Sequence, residues 1–334
     1  MSRDRFLHIK TNLKCSKVKD KNPNDAAWRV RAILDLFAKT ITSFGFFETA
    51  LSVDEMMVKF YGRLNIKQYI RNKPVRFGVK MWGLCGADGF LFKTDIYCGK
   101  NGKNSSNLNS CALGSRVVLN MGQDLLLNTI PKKLDNYHIY FDNFFCNPDL
   151  IVHLKKVGVV ATGTVRQDRV KEKNTIDVKS SRGTHCLKHD TNSGVNYITI
   201  MDSKIVSMLS TAVGDSPLKS VKRYSKDKKD RVEIPMPAAF ALYNRFMGGV
   251  DIHDQYCSKL LPSLRSKKWT WPVLMRLIQS SITNAVIIFN AAQLEGKKSS
   301  AKEFAMQIAE NYLAQSSSRW KSHELMTHEK KKKL

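Results

Sequence analysis

The pattern of apolar and polar residues along the 334-residue chain predicts short buried strands alternating with amphipathic helices. Strands are predicted where brief apolar runs end at turn residues, over Ala50–Phe60, Val79–Cys85, Phe90–Tyr97, Tyr137–Asp142 and Val159–Val165. Between them, helical spacing of apolar residues predicts helices over Val117–Leu127 and from Pro148 to Gly158. This order of elements predicts an α/β fold.

Further helices are predicted on both sides of this region. One at the N-terminal end carries Trp28 and Phe37 and is expected to be capped by Asn24 or Asp25. Another begins at Pro237 and continues through Val250, a core helix covers Trp269–Leu294, and a weaker one covers Ala301–Ala314. The polar segment 166–235 has strand-like runs and predicts a β-rich insertion.

The stretch Tyr137–Pro148 places an acid at the end of a buried strand. Its apolar run ends at Asp142, and Asn147 can cap a helix whose first residue is Pro148. In open α/β sheets, ligands bind at the carboxyl ends of the strands. Asp142 is therefore a candidate site residue, with a plain turn aspartate as the alternative.

Three further acids lie on two other elements. Asp54 lies on the strand Ala50–Phe60, while Asp251 and Asp254 are three residues apart and share a face of the predicted helix from Pro237. Gly248 and Gly249 precede them, which indicates close packing at a crowded polar position. Clustered carboxylates repel each other, and Mg²⁺ with substrate phosphate oxygens is a usual way to hold them together. An exposed acidic pair on a surface helix is the alternative for the last two acids.

The charge of the chain indicates a polyanionic partner. Lys and Arg number 55 against 29 Asp and Glu, which gives a formal net charge of +26. The basic residues are spread along the chain, so nucleic acid is favoured over a membrane. The basic residues predicted to contact DNA phosphates, with a solvated charged face as the alternative, are Arg63, Lys67, Arg71, Lys73, Arg76, Lys80, Lys222 and Arg223. The terminal Lys330–Lys333 is a weak nuclear-import or DNA-contact signal.

Four motifs together resemble the piggyBac transposase family. They are Ser52–Glu55 (SVDE), Asn72–Pro74 (NKP), Ile139–Phe144 (IYFDNF) and Met247–Gln255 (MGGVDIHDQ), the last followed by Trp271–Pro272. The resemblance extends from near residue 1 to about residue 293. It implies an RNase H-like mixed-sheet catalytic core with a β-rich insertion and flanking helices.

The resemblance also implies a function. Asp54, Asp142 and Asp251 match the three catalytic metal ligands of the family, and Asp254 matches a fourth acid near the site. The family implies a two-metal Mg²⁺ or Mn²⁺ site that cleaves DNA and transfers strands at transposon ends and TTAA targets. It further implies double-stranded DNA as the partner, a homodimer, no membrane association and a nuclear location.

The expected organisation has five parts. They are a helical remnant of a dimerisation or DNA-binding domain (1–47), the first part of the catalytic core (48–165), the insertion (166–235), the second part of the core with helices (236–295) and a basic tail (296–334). No CxxC pair occurs and no cysteine follows Cys257, so the cysteine-rich zinc module of many relatives is expected to be absent and no zinc is expected. Compared with the family, Met1 falls partway into the helical domain, so the N-terminus is expected to be truncated. The alternatives are a non-catalytic domesticated DNA-binding or chromatin-associated protein, an inactive truncated copy, or an RNA-cleaving hydrolase of the same fold class.

Overall fold

The computed structural model describes residues 2–17, 19, 21–71, 73–99, 111–128, 131–225, 229–260, 266–293 and 298–314. The strands are β1 Ala50–Lys59, β2 Lys67–Tyr69, β3 Phe77–Gly86, β4 Leu91–Ile96, β5 His138–Phe141, β6 Val160–Val165, β7 His185–Asp190, β8 Val195–Met201, β9 Ile205–Ser210, β10 Lys219–Ser225 and β11 Asp230–Met236. The helices are α1 Arg3–Asn12, α2 Trp28–Thr42, α3 Leu113–Asn128, α4 Pro148–Lys156, α5 Ala238–Phe246, α6 Gly249–Leu260, α7 Thr270–Ala292 and α8 at 301–314. Asn72 and the terminal lysines 330–333 lie outside the described residues.

A mixed nine-stranded sheet is the centre of the described part of the chain. Its strand order is β2-β3-β1-β5-β6-β9-β8-β7, and β4 pairs with β3 as well. β5 is parallel to both β1 and β6, whereas the other pairings are antiparallel. The central strands are largely buried because helices cover them, as parallel strands require.

Helix α7 is fixed to the sheet by a buried polar side chain. Asn284 accepts a hydrogen bond from the Leu91 N–H and donates one to the Leu91 carbonyl oxygen, both at 2.9 Å. Within the described residues, α7 is the helix with the length and hydropathy of a membrane span. Its buried residues include Ser280, Thr283 and Asn284 beside apolar ones such as Val273, which fits the predicted core helix.

The insertion forms two β structures. Strands β7–β9 continue the main sheet outward from β6, and β10 with β11 makes a separate two-stranded ribbon. A small second core links β8 and β9 with Met236 and Phe240. The basic run Lys219–Arg231 therefore lies mostly on this ribbon, and the domain boundaries remain predictions.

Two local predictions were wrong. The helix from Pro237 ends at Phe246, and a second helix begins at Gly249, because the chain turns at 247–248 to bring Gly249 against the sheet. Neither Asn24 nor Asp25 caps α2, whose N-cap residue is Ala27. Asp25 instead accepts a hydrogen bond from the Ala27 N–H and forms an ion pair with Arg31 at 2.9 Å.

Candidate active site

The candidate active site lies where β5 ends beside the middle of β1. The two strands are parallel with Val53 opposite Phe141, so the next residues, Asp54 and Asp142, lie side by side. Each carboxylate accepts one nearby backbone N–H at 2.8 Å, Asp54 from Glu55 and Asp142 from Phe144. This register brings together two of the predicted site residues.

Burial governs the electrostatics of this pair. It raises the pKa of Asp54 to about 7, against the opposing effect of the Lys73 ammonium, and the neighbouring Glu55 and Asp142 charges raise it further. Burial is also the main reason that the pKa of Asp142 is raised. The pair is therefore costly to ionise, and a cation in contact with it would relieve that cost.

Helix α6 brings the other two acids to the same edge. A Cβ atom on Gly249 would lie 2.2 Å from the Gly86 carbonyl oxygen and 2.7 Å from Ser52 Oγ, so only glycine lets the helix begin this close to β1 and β3. Asp251 follows two residues later, and its side chain is 69% exposed. Asp254 is more buried and lies 3.1 Å from Arg276 of α7, without hydrogen-bond alignment.

Two lysines face these acids. The Lys73 Nζ lies 3.6 Å from Asp54 Oδ2 and 3.3 Å from Asp251 Oδ1. The Lys80 Nζ lies 3.6 Å from Glu55 Oε2 and 4.1 Å from the centre of the Trp82 ring. Burial lowers the pKa of Lys80. Burial would also lower the pKa of Lys73, but the carboxylates, Asp54 first, outweigh it and raise that pKa.

The side chains of this site match only part of the ligand set that a divalent metal ion requires. The carboxylates of Asp54 and Asp142 are hard oxygen donors of the kind that Mg²⁺ takes together with phosphate oxygens. Among the residues that the structure describes, no three acidic, histidine or cysteine side chains are arranged to hold a metal. Lys73 lies between Asp54 and Asp251, and Arg276 is next to Asp254. Three of the four acids therefore already have a positively charged side chain of the protein beside them.

The residues predicted to contact DNA divide into two groups. Those exposed to solvent are Arg63, Arg71, Arg76 and Lys222. The others have partners within the chain: Lys67 with the Gly62 carbonyl, Arg223 with Asp202, and Lys73 and Lys80 with the acids. DNA contact by either group remains a prediction.

Sequence reasoning missed the internal cations of the site. Lys73 and Lys80 were predicted as phosphate contacts, although both point to carboxylates. Arg276 lies within the predicted core helix Trp269–Leu294 and was given no role in the site. It is the only charged residue between Trp269 and Leu294, and that isolation is a signal for a buried acidic partner.

The mixed sheet with neighbouring aspartates on two parallel strands defines the protein class as RNase H-like. A solved structure, the cryo-EM structure of the piggyBac transposase synaptic complex with hairpin DNA, is similar with a TM-score of 0.70 and 26% identity. The match covers 92% of this chain and 62% of that chain. The sequence model of a transposase family described as Transposase IS4 matches residues 1–286. The chain belongs to the piggyBac transposase family.

Curated relatives agree with this assignment. PiggyBac transposable element-derived protein 3 of Homo sapiens is 33% identical over 291 residues, which are 85% of this chain and 48% of that protein. PiggyBac transposable element-derived protein 2 of Homo sapiens is 29% identical over 287 residues, again 85% of this chain and 48% of that protein. The chain thus spans about half the length of these relatives. The family resemblance and the fold class predicted from the sequence are confirmed.

Proposed function

We propose that the chain is the catalytic core of a piggyBac-type DNA transposase, which cleaves and joins strands at transposon ends and TTAA targets. Asp54, Asp142 and Asp251 are the proposed ligands of Mg²⁺ or Mn²⁺, and Asp254 is a fourth acid near them. The main support for the proposal is the register of β1 and β5, which places Asp54 beside Asp142. Helix α6 places Asp251 within reach of Lys73, which also contacts Asp54.

Divalent ions, when bound, would supply activation of the attacking oxygen and stabilisation of the leaving oxygen in phosphodiester chemistry. The chain's contribution is to hold the donor oxygens. The backbone N–H groups of Glu55 and Phe144 orient the Asp54 and Asp142 carboxylates from within the fold. The burial that raises the pKa of both acids also makes a cation ligand favourable there.

Double-stranded DNA is the proposed partner. The net charge of +26 favours a polyanion, and the exposed Arg63, Arg71 and Arg76 could contact its phosphates. The similar structure is a synaptic complex with hairpin DNA, which supports DNA binding by this chain. A homodimer is also proposed. A nuclear location is part of the same proposal.

One observation favours a second candidate, a domesticated DNA-binding protein without catalysis. Asp251 and Asp254 each have a cation of the chain beside them, Lys73 and Arg276. A chain that no longer binds metal would keep such pairs, since they relieve the repulsion between the acids.

Metal-dependent stability and strand joining separate the two candidates. The wild type, Asp142→Asn and the control Asp35→Asn, whose exposed residue lies on α2, are melted with and without Mg²⁺ or Mn²⁺. The wild type and the control are expected to gain about 2 °C at metal concentrations well above the dissociation constant, and Asp142→Asn to gain little. Pre-cleaved transposon ends and a TTAA target are then added to the same samples.

Joined strands that require both metal and Asp142 would support the transposase. Absence of joined strands, with or without stabilisation by metal, would favour the DNA-binding protein. Equal melting temperatures with and without metal in all three proteins would contradict the metal site.

A further inference from the structure

Lys73 connects three separate elements through one ammonium group. It lies in the segment before β3, and its Nζ lies 3.6 Å from Asp54 Oδ2 on β1 and 3.3 Å from Asp251 Oδ1 on α6. The same atom donates a hydrogen bond to the Glu55 carbonyl oxygen at 3.3 Å. The Lys73 side chain is only 20% exposed, so these contacts replace much of its hydration.

The two carboxylates that Lys73 joins are two of the three proposed metal ligands. The third, Asp142, also interacts electrostatically with Lys73. A divalent ion held by Asp54 and Asp251 would compete with the ammonium for the same carboxylates. Lys80 differs, since it contacts Glu55 and the Trp82 ring instead.

We propose that Lys73 is a displaceable counter-ion, which occupies the place of a divalent metal and leaves it when the metal binds. The proposal rests on the proposed function for the identity of the metal ligands. In the metal-free protein, Lys73 holds the exposed Asp251 close to the sheet. In the metal-bound protein, the Lys73 ammonium no longer pairs with the acids, so its positive charge adds to those of the exposed Arg71 and Arg76 on the same segment.

Two measurable effects follow from this role. Lys73 competes with the metal, so removing its charge should increase the affinity for Mn²⁺. Metal loading also frees a positive charge beside the site, so Mn²⁺ should strengthen DNA binding more in the wild type than in a variant without that charge. Lys73 is thus a positioning residue that links metal binding to DNA binding.

The test is a titration of free Mn²⁺ by electron paramagnetic resonance, without DNA, on the wild type, Lys73→Met and Lys93→Met. Lys93 is the matched control because it also pairs with an aspartate, Asp124 at 2.8 Å, on β4 and α3. We expect Lys73→Met to bind Mn²⁺ about fivefold to tenfold more tightly than the wild type. The reason is that the metal then no longer has to displace a partly buried ion pair. Lys93→Met should match the wild type.

Lys73→Arg keeps the charge and provides a second variant. It should bind Mn²⁺ no more tightly than the wild type, and the Mn²⁺-dependent gain in DNA affinity should persist in it but shrink in Lys73→Met. If Lys73→Met is unfolded without metal, recovery of its fold by Mn²⁺ would support the proposal, and failure to recover would overturn it.

Failure of this inference can be told from failure of the proposed function. Equal or weaker Mn²⁺ binding by Lys73→Met, in a wild type that binds metal and joins strands, would overturn the counter-ion role alone. Tighter binding by Lys73→Met with no strand joining by the wild type would support the counter-ion and overturn the catalytic proposal. Absence of Mn²⁺ binding in every variant would overturn both.

Discussion

Replacing Gly249 by alanine is expected to force α6 away from the acidic end of the sheet. The added Cβ would lie 2.2 Å from the Gly86 carbonyl oxygen, and real Cβ contacts essentially never fall below 3.0 Å. The carbonyl cannot rotate aside as a side chain would, since Gly86 ends β3 and pairs with Leu51 of β1. Relief therefore requires a movement of the helix itself.

The cost of this movement follows from overpacking. Extra methyl groups in packed positions typically cost 1–3 kcal/mol, and a clash with backbone places Gly249→Ala near about 3 kcal/mol. The required shift, from 2.2 Å to beyond 3.0 Å, is large enough to disturb the 3.3 Å contact between Asp251 and Lys73 two residues further on. Both stability and the geometry of the site should therefore suffer.

Urea unfolding of Gly249→Ala and Gly248→Ala provides the measurement and its control. A Cβ on Gly248 would meet nothing within 4 Å, so that variant should stay within about 1 kcal/mol of the wild type. Gly249→Ala should also lose the stabilisation by Mn²⁺, which Gly248→Ala should keep. Equal free energies of unfolding for the two variants would refute the close-packing explanation of the glycine pair.

Three other predictions concern pH, packing and DNA. Burial lowers the pKa of His138 to about 4, so the unfolded chain binds the extra proton between pH 6.5 and 4; the contribution of His138 to the unfolding free energy should fall by about 3 kcal/mol as pH drops through this window, opposite in sign to the contribution of Asp54, whose pKa is raised, and the difference between the wild type and His138→Gln isolates it. Asn284→Leu should cost about 2–4 kcal/mol in urea unfolding, because it leaves the Leu91 N–H and carbonyl unpaired inside the fold; a cost below 1 kcal/mol would argue against this. Binding of duplex DNA should depend on salt, and its log–log slope should become shallower by about three when three exposed arginines are replaced by alanine, namely Arg63, Arg71 and Arg76; an unchanged slope would exclude them as phosphate contacts.

Features that depend on neighbouring residues could be predicted from the sequence. β5 ends at Phe141 directly before Asp142, and α4 begins at Pro148 with the Asn147 side chain accepting the Leu150 N–H at 2.8 Å. Gly158, with a φ of +87°, follows this helix as predicted. In each case the signal and its effect lie within a few residues of each other.

Features that depend on contacts distant in sequence could not be predicted in this way. Lys73 meets Asp251 across 178 positions, and no local pattern distinguishes a lysine that faces carboxylates from one that faces solvent. The break between α5 and α6 likewise follows from the approach of Gly249 to Gly86, which belongs to another element. Asp54, Asp142 and Asp251 were proposed because three elements far apart in sequence each carry one of them, and their role as metal ligands stays a prediction.

The position of Lys73 in the sequence decides which charges can pair while the chain is being synthesised. Chains emerge from the ribosome with the N-terminal end first, and Lys73 is synthesised only 19 residues after Asp54, whereas Asp142 and Asp251 come much later. The pairing of β1 with β3 can therefore form with a positive partner for Asp54 already in place. In this order of synthesis, Asp54 is not buried without a positive partner, and α6 is made later and adds Asp251, the acid that Lys73 contacts in the finished protein.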